Sequence, residues 1–445
     1  MIICSIIQKS QLEGATRLDA EYYQPEYLEI EERIKKLKTF VLGEISFITD
    51  GQHGYFKLDE NSEIRQITAQ HIIDGFIDKT NADRLSKETH EKNLRASLKE
   101  NDIVLSTVGT VGNAGVVTKE IPPANLDQNV ARINLNIKDL DPWYLVVFLN
   151  SKYGQLQINR NITGQVQQRL SLETLRHLEI PIISEQEHVG NLLKNSYKAL
   201  TLSKSLYSQA EDLLLGELGL KNFKLEEELS YIVNLSDVKS AHRADAEYFQ
   251  PKYDELIKRI AKNEHEKLIK LANRVKTKIK PIPDRLYKYI EISDIDISDG
   301  FVDFNEIIGQ ELPANARIPI KGVELVISKV RPTRGAISIL PPDFNKDFIC
   351  SSAFSVFTVS GPLKEYLFVV LRSIIGKIQF EKPTTGTSYP TITDQDVENI
   401  LVPILPQSFQ QKIADLVLQS HQARKKAKEL LEKAKREVEE FIEKR

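Results

Sequence analysis

The sequence states one phrase twice, and that duplication limits what the chain can fold into more than any other feature. Arg17–Tyr27 reads RLDAEYYQPEY and Arg243–Tyr253 reads RADAEYFQPKY, with eight of eleven positions identical at a separation of 226. The register continues beyond the phrase. Asp74-Gly-Phe-Ile-Asp78 returns as Asp299-Gly-Phe-Val-Asp303, and NDIVLSTV (Asn101–Val108) is echoed by VELVISKV (Val323–Val330). From Tyr144 the offset is 222, through Tyr144/Tyr366, Leu149/Leu371, Ser151/Ser373, Gly154/Gly376, Gln157/Gln379, Thr163/Thr385 and Pro181/Pro403. A period near 220 is too long for a solenoid, so the 445 residues hold two copies of one domain.

Each copy repeats the same internal order. Pro25 and Pro251 suit the first turn of a helix, where a missing N–H costs nothing. Tyr27, Ile30, Ile34 and Leu37 then fall on one helical face, with Glu26 and Glu29 early and Lys35, Lys36 and Lys38 late, as the helix dipole prefers. Short β-branched runs follow, broken by Gly, Asn and Pro: IRQITAQHI, NDIVLSTV and VARINLNI in copy one, YIEISDIDI, VELVISKV and FSVFTV in copy two. These read as strands. PWYLVVFLNSKYGQLQI and LKEYLFVVLRSIIGKIQF each read as one helix.

A long helix closes each copy, the first expected over about residues 184–218. Val189, Leu192, Leu193 and Leu206 match Ile413, Leu416, Val417 and Leu430 at an offset of 224, in a heptad-type seam that also holds Ser196/Ser420, Ala199/Ala423 and Ala210/Ala434. Small residues in the seam predict close antiparallel packing of the two helices. At 1.5 Å per residue, such a helix is a spacer of roughly 50 Å.

Composition and motifs exclude several chemistries. With 41% hydrophobic and 28% charged residues the chain is globular, and the apolar run Ile2–Ile7 is too short for a signal-peptide core or a membrane span. Cys4 and Cys350 cannot form a disulfide framework or a zinc site, so a reducing cytoplasm is the expected location. No Walker loop occurs, and Gly109-x-x-Gly112-x-x-Gly115 lacks dinucleotide spacing and reads as a turn between strands. The eight histidines show no metal-ligand spacing. No nucleophile–base trio and no Asn-Pro-Pro-aromatic methyltransferase tetrapeptide can be nominated. Pro342-Asp343 is not followed by the acid-x-Lys of a nuclease before Lys382. Asp19 and Glu21, like Asp245 and Glu247, read less as catalytic acids than as acceptors for backbone N–H groups at a helix start. No catalytic residue, metal or cofactor is expected.

Nearly the whole chain resembles the specificity subunit of type I restriction–modification systems. The resemblance is carried by LDAEYYQP and ADAEYFQP, by TDGQHG at Thr49, and by NDIVLSTVGTVGNAG. It continues in TGQVQQRLSLETLRHLEIPI and TGTSYPTITDQDVENILVPI, each leading into a helix start, SEQEHV or SFQQKI. Each motif alone is weak; their order, twice, is strong. The resemblance implies an α+β fold of two duplicated target-recognition domains joined by long paired, antiparallel coiled-coil-like helices. It divides the chain into an N-terminal segment (1–40), recognition domain 1 (41–181), a central helical spacer (182–262), recognition domain 2 (263–403) and a C-terminal helix (404–445). It also implies a non-catalytic reader of a split site in double-stranded DNA. Two modification subunits with adenine methyltransferase activity and a restriction/translocase subunit are the implied protein partners, with no membrane.

Residue chemistry supplies matching groups, since duplex recognition needs cations for phosphates and amides or Arg for base edges. Copy one offers Gln52, His53, Tyr55 and Lys57, then Arg160, Gln165, Gln167, Gln168 and Arg169 beside Asn161. Copy two offers Lys276, Lys278, Lys280 and Arg285, then Lys329, Arg331 and Arg334, then Lys382, Thr384, Thr387, Ser388 and Tyr389. Solvated loops carry such clusters too. The Thr-Gly loops, present in both copies, read as backbone or phosphate support more than base choice. A spacer of roughly 50 Å corresponds to about fifteen base pairs, which puts the half-sites roughly one to one and a half turns apart with unread bases between. A net charge of −3 leaves open a different account, a coiled-coil scaffold whose two β-rich domains bind proteins and not DNA.

Overall fold

The computed structural model describes residues 5–10, 12, 17–54, 56–164, 167–221, 223, 228–322, 324–341, 344, 347–361 and 363–444. Two compact units emerge: unit 1 is Met1–Ala199 with Lys426–Arg445, and unit 2 is Leu200–Lys425. Among the described residues no helix is long and apolar enough to cross a membrane.

Unit 1 begins with α1 (Pro25–Lys35), which has Pro25 in its first turn and buries Ile30 and Ile34. Its main sheet comprises β1 (Ser46–Asp50), β2 (Ile103–Ser106), β3 (Ala114–Val116) and β4 (Val130–Leu135), in the antiparallel order β1-β4-β2-β3. A separate parallel pair joins Arg65–Ile67 to Ala124–Leu126. α2 (Pro142–Asn150) buries every residue from Tyr144 to Leu149, and α3 (Lys152–Arg160) follows after one residue. Thr39–Val41 pairs with Glu179–Pro181 where the chain enters and leaves the domain. The long helix α4 (Gln186–Glu217) starts in unit 1.

Unit 2 repeats this plan. α5 (Pro251–Ile260) again opens on proline. β5 (Asn273–Arg274), β6 (Leu286–Ile290), β7 (Asn305–Ile308), β8 (Ala316–Pro319), β9 (Glu324–Ser328), β10 (Ile337–Ile339), β11 (Phe348–Ser351) and β12 (Phe354–Thr358) form two sheets. The sheet β5-β12-β9-β10 has the strand order of the main sheet of unit 1, while β7-β6-β11-β8 keeps the parallel pairing in its β6–β11 neighbours. α6 (Leu363–Arg372), α7 (Ile374–Glu381) and the closing helix α8 (Gln407–Glu443) complete the set. His265–Lys267 against Leu401–Pro403 repeats the entry–exit pair.

The expected single helix after the strands is two helices in each copy. Its apolar run continues through the break, but Ser151 and Ser373 leave helical geometry. Each hydroxyl donates to a carbonyl three residues back, Phe148 or Val370, both at 2.7 Å. Each also accepts an N–H of the next helix, from Gly154 at 3.5 Å or Ile375 at 3.2 Å, so serine ends one helix and caps the other. Buried Tyr144 and Tyr366 donate their hydroxyls to the Pro181 and Pro403 carbonyls at 2.8 and 2.6 Å. Burial pushes both phenols up, so these hydroxyls remain donors.

The fold is thus α+β, with the closing helices packed antiparallel as expected. In unit 1 the Ser196 hydroxyl donates to the Ala427 carbonyl at 2.7 Å, and His188 meets Glu437 at 3.1 Å. In unit 2 the Ser420 hydroxyl donates to the Ser203 carbonyl at 2.8 Å. Val189, Leu192, Leu193, Ile413 and Val417 are buried, whereas Leu206, Leu416 and Leu430 are half-buried. Ile413 and Val417 lie in the apolar core of unit 2, with Leu416 packed against it.

Equivalent acids at the start of β2 and β9 meet different surroundings. Buried Asp102 accepts from Arg132 Nε at 2.6 Å and Asn134 at 2.7 Å. In unit 2 the strand register puts Val356 where Arg132 stands. Among the described residues Glu324 therefore has no ion-pair partner. Its Oε1 accepts from the Lys321 N–H at 2.9 Å, its Oε2 has no hydrogen-bond partner, and burial pushes its carboxyl up against backbone hydrogen bonds and the Lys321 charge. An acid with a raised folded pKa loses stability as pH climbs from its unfolded value through the folded one. Glu324→Gln should accordingly stabilise the chain at pH 7, while Asp102→Asn should destabilise it by about 3–5 kcal/mol by stranding Arg132. Urea unfolding of both variants at pH 7 tests this; a Glu324→Gln protein less stable than the parent would contradict it.

Candidate nucleic-acid interface

The repeated phrase forms a joint rather than a surface. Arg17 binds Asp19 through two nitrogens at 2.9 and 2.6 Å and lies 4.5 Å over the Tyr22 ring. Arg160 covers the same ring at 4.2 Å, donates to the Tyr22 carbonyl at 3.0 Å, and pairs with Glu31 at 2.5 Å. In unit 2, Arg243 binds Asp245 at 2.8 and 2.6 Å, lies 4.6 Å over Tyr248, and donates to the Pro383 and Thr384 carbonyls at 3.0 and 3.1 Å. Lys382 takes the place of Arg160, 5.4 Å over Tyr248 and 3.4 Å from Asp254.

These contacts revise the expectation for Asp19 and Asp245: neither makes a side-chain cap bond, although the Tyr22 and Tyr248 N–H groups help to hold the carboxylates charged. Hydrogen bonds from Arg17 and Arg243 are the main cause that holds both carboxyls below their usual range. An arginine two residues upstream reaches each carboxylate bidentately, which outcompetes a neutral N–H. Arg160, Lys382 and Thr384 (whose hydroxyl donates to the Phe380 carbonyl at 2.7 Å) therefore sit in the joint and point inward.

Other candidates lie on an edge built from two loops. In unit 1, Thr163 and Arg169 exchange backbone bonds at 2.9 and 2.8 Å, closing the Thr-Gly loop, with Gly164 at φ +91°. Leu170 N–H then donates to the Thr107 carbonyl at 2.9 Å, tying this loop to the β2–β3 turn. In unit 2, Thr385 and Thr391 exchange the same bonds at 3.0 and 2.9 Å, with Gly386 at φ +87°. Ile392 N–H donates to the Lys329 carbonyl at 3.0 Å and ties that loop to the β9–β10 turn. Gln167, Gln168 and Arg169 are exposed on the first edge, and Arg334, Thr387, Ser388 and Tyr389 on the second. Arg331 is half-exposed, 5.7 Å over the Tyr389 ring.

The remaining candidates are distributed elsewhere. Gln52 bridges to Asp127, and exposed His53 contacts Asp50 at 2.9 Å. Burial works upward on the Asp50 carboxyl, but hydrogen bonds from His53 and Arg95 hold it below its usual range. Lys57 pairs with Glu88 at 3.3 Å. Lys276, Lys278 and Lys280 are exposed on the segment leading to β6, whereas Arg285 pairs with Asp347 at 2.5 Å. Lys329 Nζ turns inward to Asp394 at 3.0 Å, where burial acts upward but Ser355, Lys329 and Arg274 hold the carboxyl low. Tyr55 and Gln165 lie outside the described residues.

One part of the edge was not singled out from the sequence as a base-contact candidate. The turn at 109–113 stands where unit 2 has Arg331–Gly335, a correspondence of GTVGNAG with RPTRGA that is already visible in the sequence at an offset of 222. Among the described residues no cluster of three or more His, Cys, Asp or Glu could hold a metal ion.

The joint generates its own expectation. Arg243→Ala removes charged hydrogen bonds to two carbonyls and a carboxylate, and should cost unit 2 about 1.5–3 kcal/mol. Calorimetry should show a lowered transition; an unchanged transition with altered ligand binding would assign Arg243 to a surface role instead.

Comparison with known proteins agrees with the sequence resemblance. A family model described as the type I restriction modification DNA specificity domain matches residues 35–212. The type I restriction enzyme EcoBI specificity subunit of Escherichia coli is 29% identical over 131 residues, which is 29% of this chain and 27% of that protein's length. The type I restriction–modification S subunit from M. genitalium aligns over 91% of this chain and 94% of its own, at 14% identity and a TM-score of 0.43. The HsdS subunit from Thermoanaerobacter tengcongensis aligns over 92% and 95%, at 14% identity and a TM-score of 0.28.

Proposed function

We propose that this chain, whose residues 35–212 match the type I restriction modification DNA specificity domain model, is the sequence-reading subunit of a type I restriction–modification complex. Each unit reads one half of a split site in double-stranded DNA. Two modification subunits supply adenine methylation, a restriction/translocase subunit supplies cleavage, and this chain supplies no catalytic group. The complex works in the cytoplasm.

The observation that carries this reading is the two-loop edge present in both units. The same backbone bonds hold Thr163 to Arg169 and Thr385 to Thr391, yet the side chains on the two edges differ. A scaffold repeated with different side chains suits a reader of two different half-sites, because backbone contacts position and side chains specify. The exposed groups include arginine, amide and hydroxyl side chains, a set that contacts phosphates and base edges. A net charge of −3 fits a subunit whose partners help surround the DNA.

Selection of duplexes from a random library by the chain assembled with its modification subunits tests the proposal. The enriched motif should contain two blocks separated by unread positions. Binding should weaken by orders of magnitude between low and physiological salt as counterions are released. A single contiguous block would overturn the division between units. Absence of any enriched sequence would favour a scaffold that binds only proteins.

A further inference from the structure

We propose that the two units read their half-sites with arginines carried on different loops of the same two-loop edge: Arg169 on the Thr-Gly loop of unit 1, and Arg331 with Arg334 on the β9–β10 turn of unit 2, each directed at a guanine. This rests on the DNA-reading function proposed above and names the side chains and the base they select.

The equivalence of the two edges is fixed by backbone bonds. Val108 bridges to Arg169 in unit 1 as Val330 bridges to Thr391 in unit 2, so positions 169 and 391 correspond, as do 109 and 331. At the first pair, unit 1 has arginine and unit 2 threonine. At the second, unit 1 has glycine and unit 2 arginine. One guanidinium has in effect moved from one loop to its neighbour while the platform stayed the same.

The backbone at position 331 gives the strongest sign that its side chain is used. Gly109 has φ +83°, and a Cβ built there meets nothing within 4 Å. Arg331 holds the corresponding left-handed conformation at φ 46° and ψ 53°. A bulky non-glycine residue rarely sits there, and such strain persists where surrounding structure enforces it and function uses it. The enforcement is visible: the Arg331 N–H donates to the Pro390 carbonyl at 2.8 Å. Glycine would relieve the strain and empty the edge.

The state of these guanidinium groups separates them from the other arginines near each unit's loops. Arg17, Arg160, Arg243 and Arg274 are each taken up by a carboxylate. Arg169, Arg331 and Arg334 form no side-chain hydrogen bond or ion pair among the described residues, and Arg331 is oriented only by the Tyr389 ring. A free planar fork at an exposed edge matches the O6 and N7 acceptors of guanine in the major groove, a pairing worth about 5- to 150-fold in discrimination.

The test uses the full chain assembled with its modification subunits, and duplexes that carry the selected motif with single base-pair changes. Arg331→Gly and Arg334→Ala should abolish about 5- to 150-fold of preference for guanine in one half-site and leave the other unaltered. Arg169→Ala should do the same to the opposite half-site. Arg331→Gly should also keep or raise the thermal midpoint, which a structural role for Arg331 would lower. A uniform loss of affinity across all duplexes, with a shallower salt dependence, would identify phosphate contacts and overturn this inference while leaving the DNA-reading function intact. Unchanged binding and preference in all three variants would also overturn it. If the unaltered complex itself prefers no sequence, the functional proposal fails first.

Discussion

The rest of the structure depends on the antiparallel seam between α4 and α8. In unit 1 it joins Ser196 to Ala427, and in unit 2 it joins Ser203 to Ser420. Serine and alanine at these buried positions let the two backbones approach closely enough for a side-chain hydroxyl to reach a carbonyl on the facing helix. Larger residues would force the helices apart and break those bonds. Both units need both helices: unit 1 takes the end of α8 and unit 2 its beginning. Residues 426–445 are therefore part of the fold of the first unit, with Ala427 lying 231 positions from its partner Ser196.

Duplication kept the platform and released the side chains. The entry–exit strand pair, the buried tyrosine under it, the serine between two helices and the Thr-Gly loop recur with matching hydrogen bonds. Where the copies diverge, the divergence has two kinds. Asp102 and Glu324 differ inside the core, and the unit without the arginine bears a buried acid that has no ion pair among the described residues. Positions 109/331 and 169/391 differ on the edge, where side chains support nothing internal. The first kind adjusts stability and the second, on the proposed function, adjusts what is read.

Much of this architecture is legible in the sequence because it depends on local pattern or on repetition. The offset of 222 fixes equivalent residues, helix periodicity identifies the closing helices, and proline marks the start of α1 and α5. The break at Ser151 was hidden because the apolar run continues through it and the signal is one serine. The inward turn of Arg160 and Lys382 was hidden for another reason. Their partners, Tyr22 with Glu31 and Tyr248 with Asp254, are more than a hundred residues away, and nothing local separates a cation that packs from one that reads. The tie between the Thr-Gly loop and the β2–β3 turn is also non-local, joining Leu170 to Thr107, so the sequence offered two loops where the fold has one edge.

The central claim is that one chain, written twice, selects a split DNA sequence for a methyltransferase it does not itself contain. Mapping methylated adenines across the host genome, with the gene for this chain intact and deleted, tests it most directly. The account predicts that one motif of two short blocks around a fixed unread gap loses its methylation on deletion and regains it on complementation. An unchanged pattern of methylated adenines after deletion would contradict it.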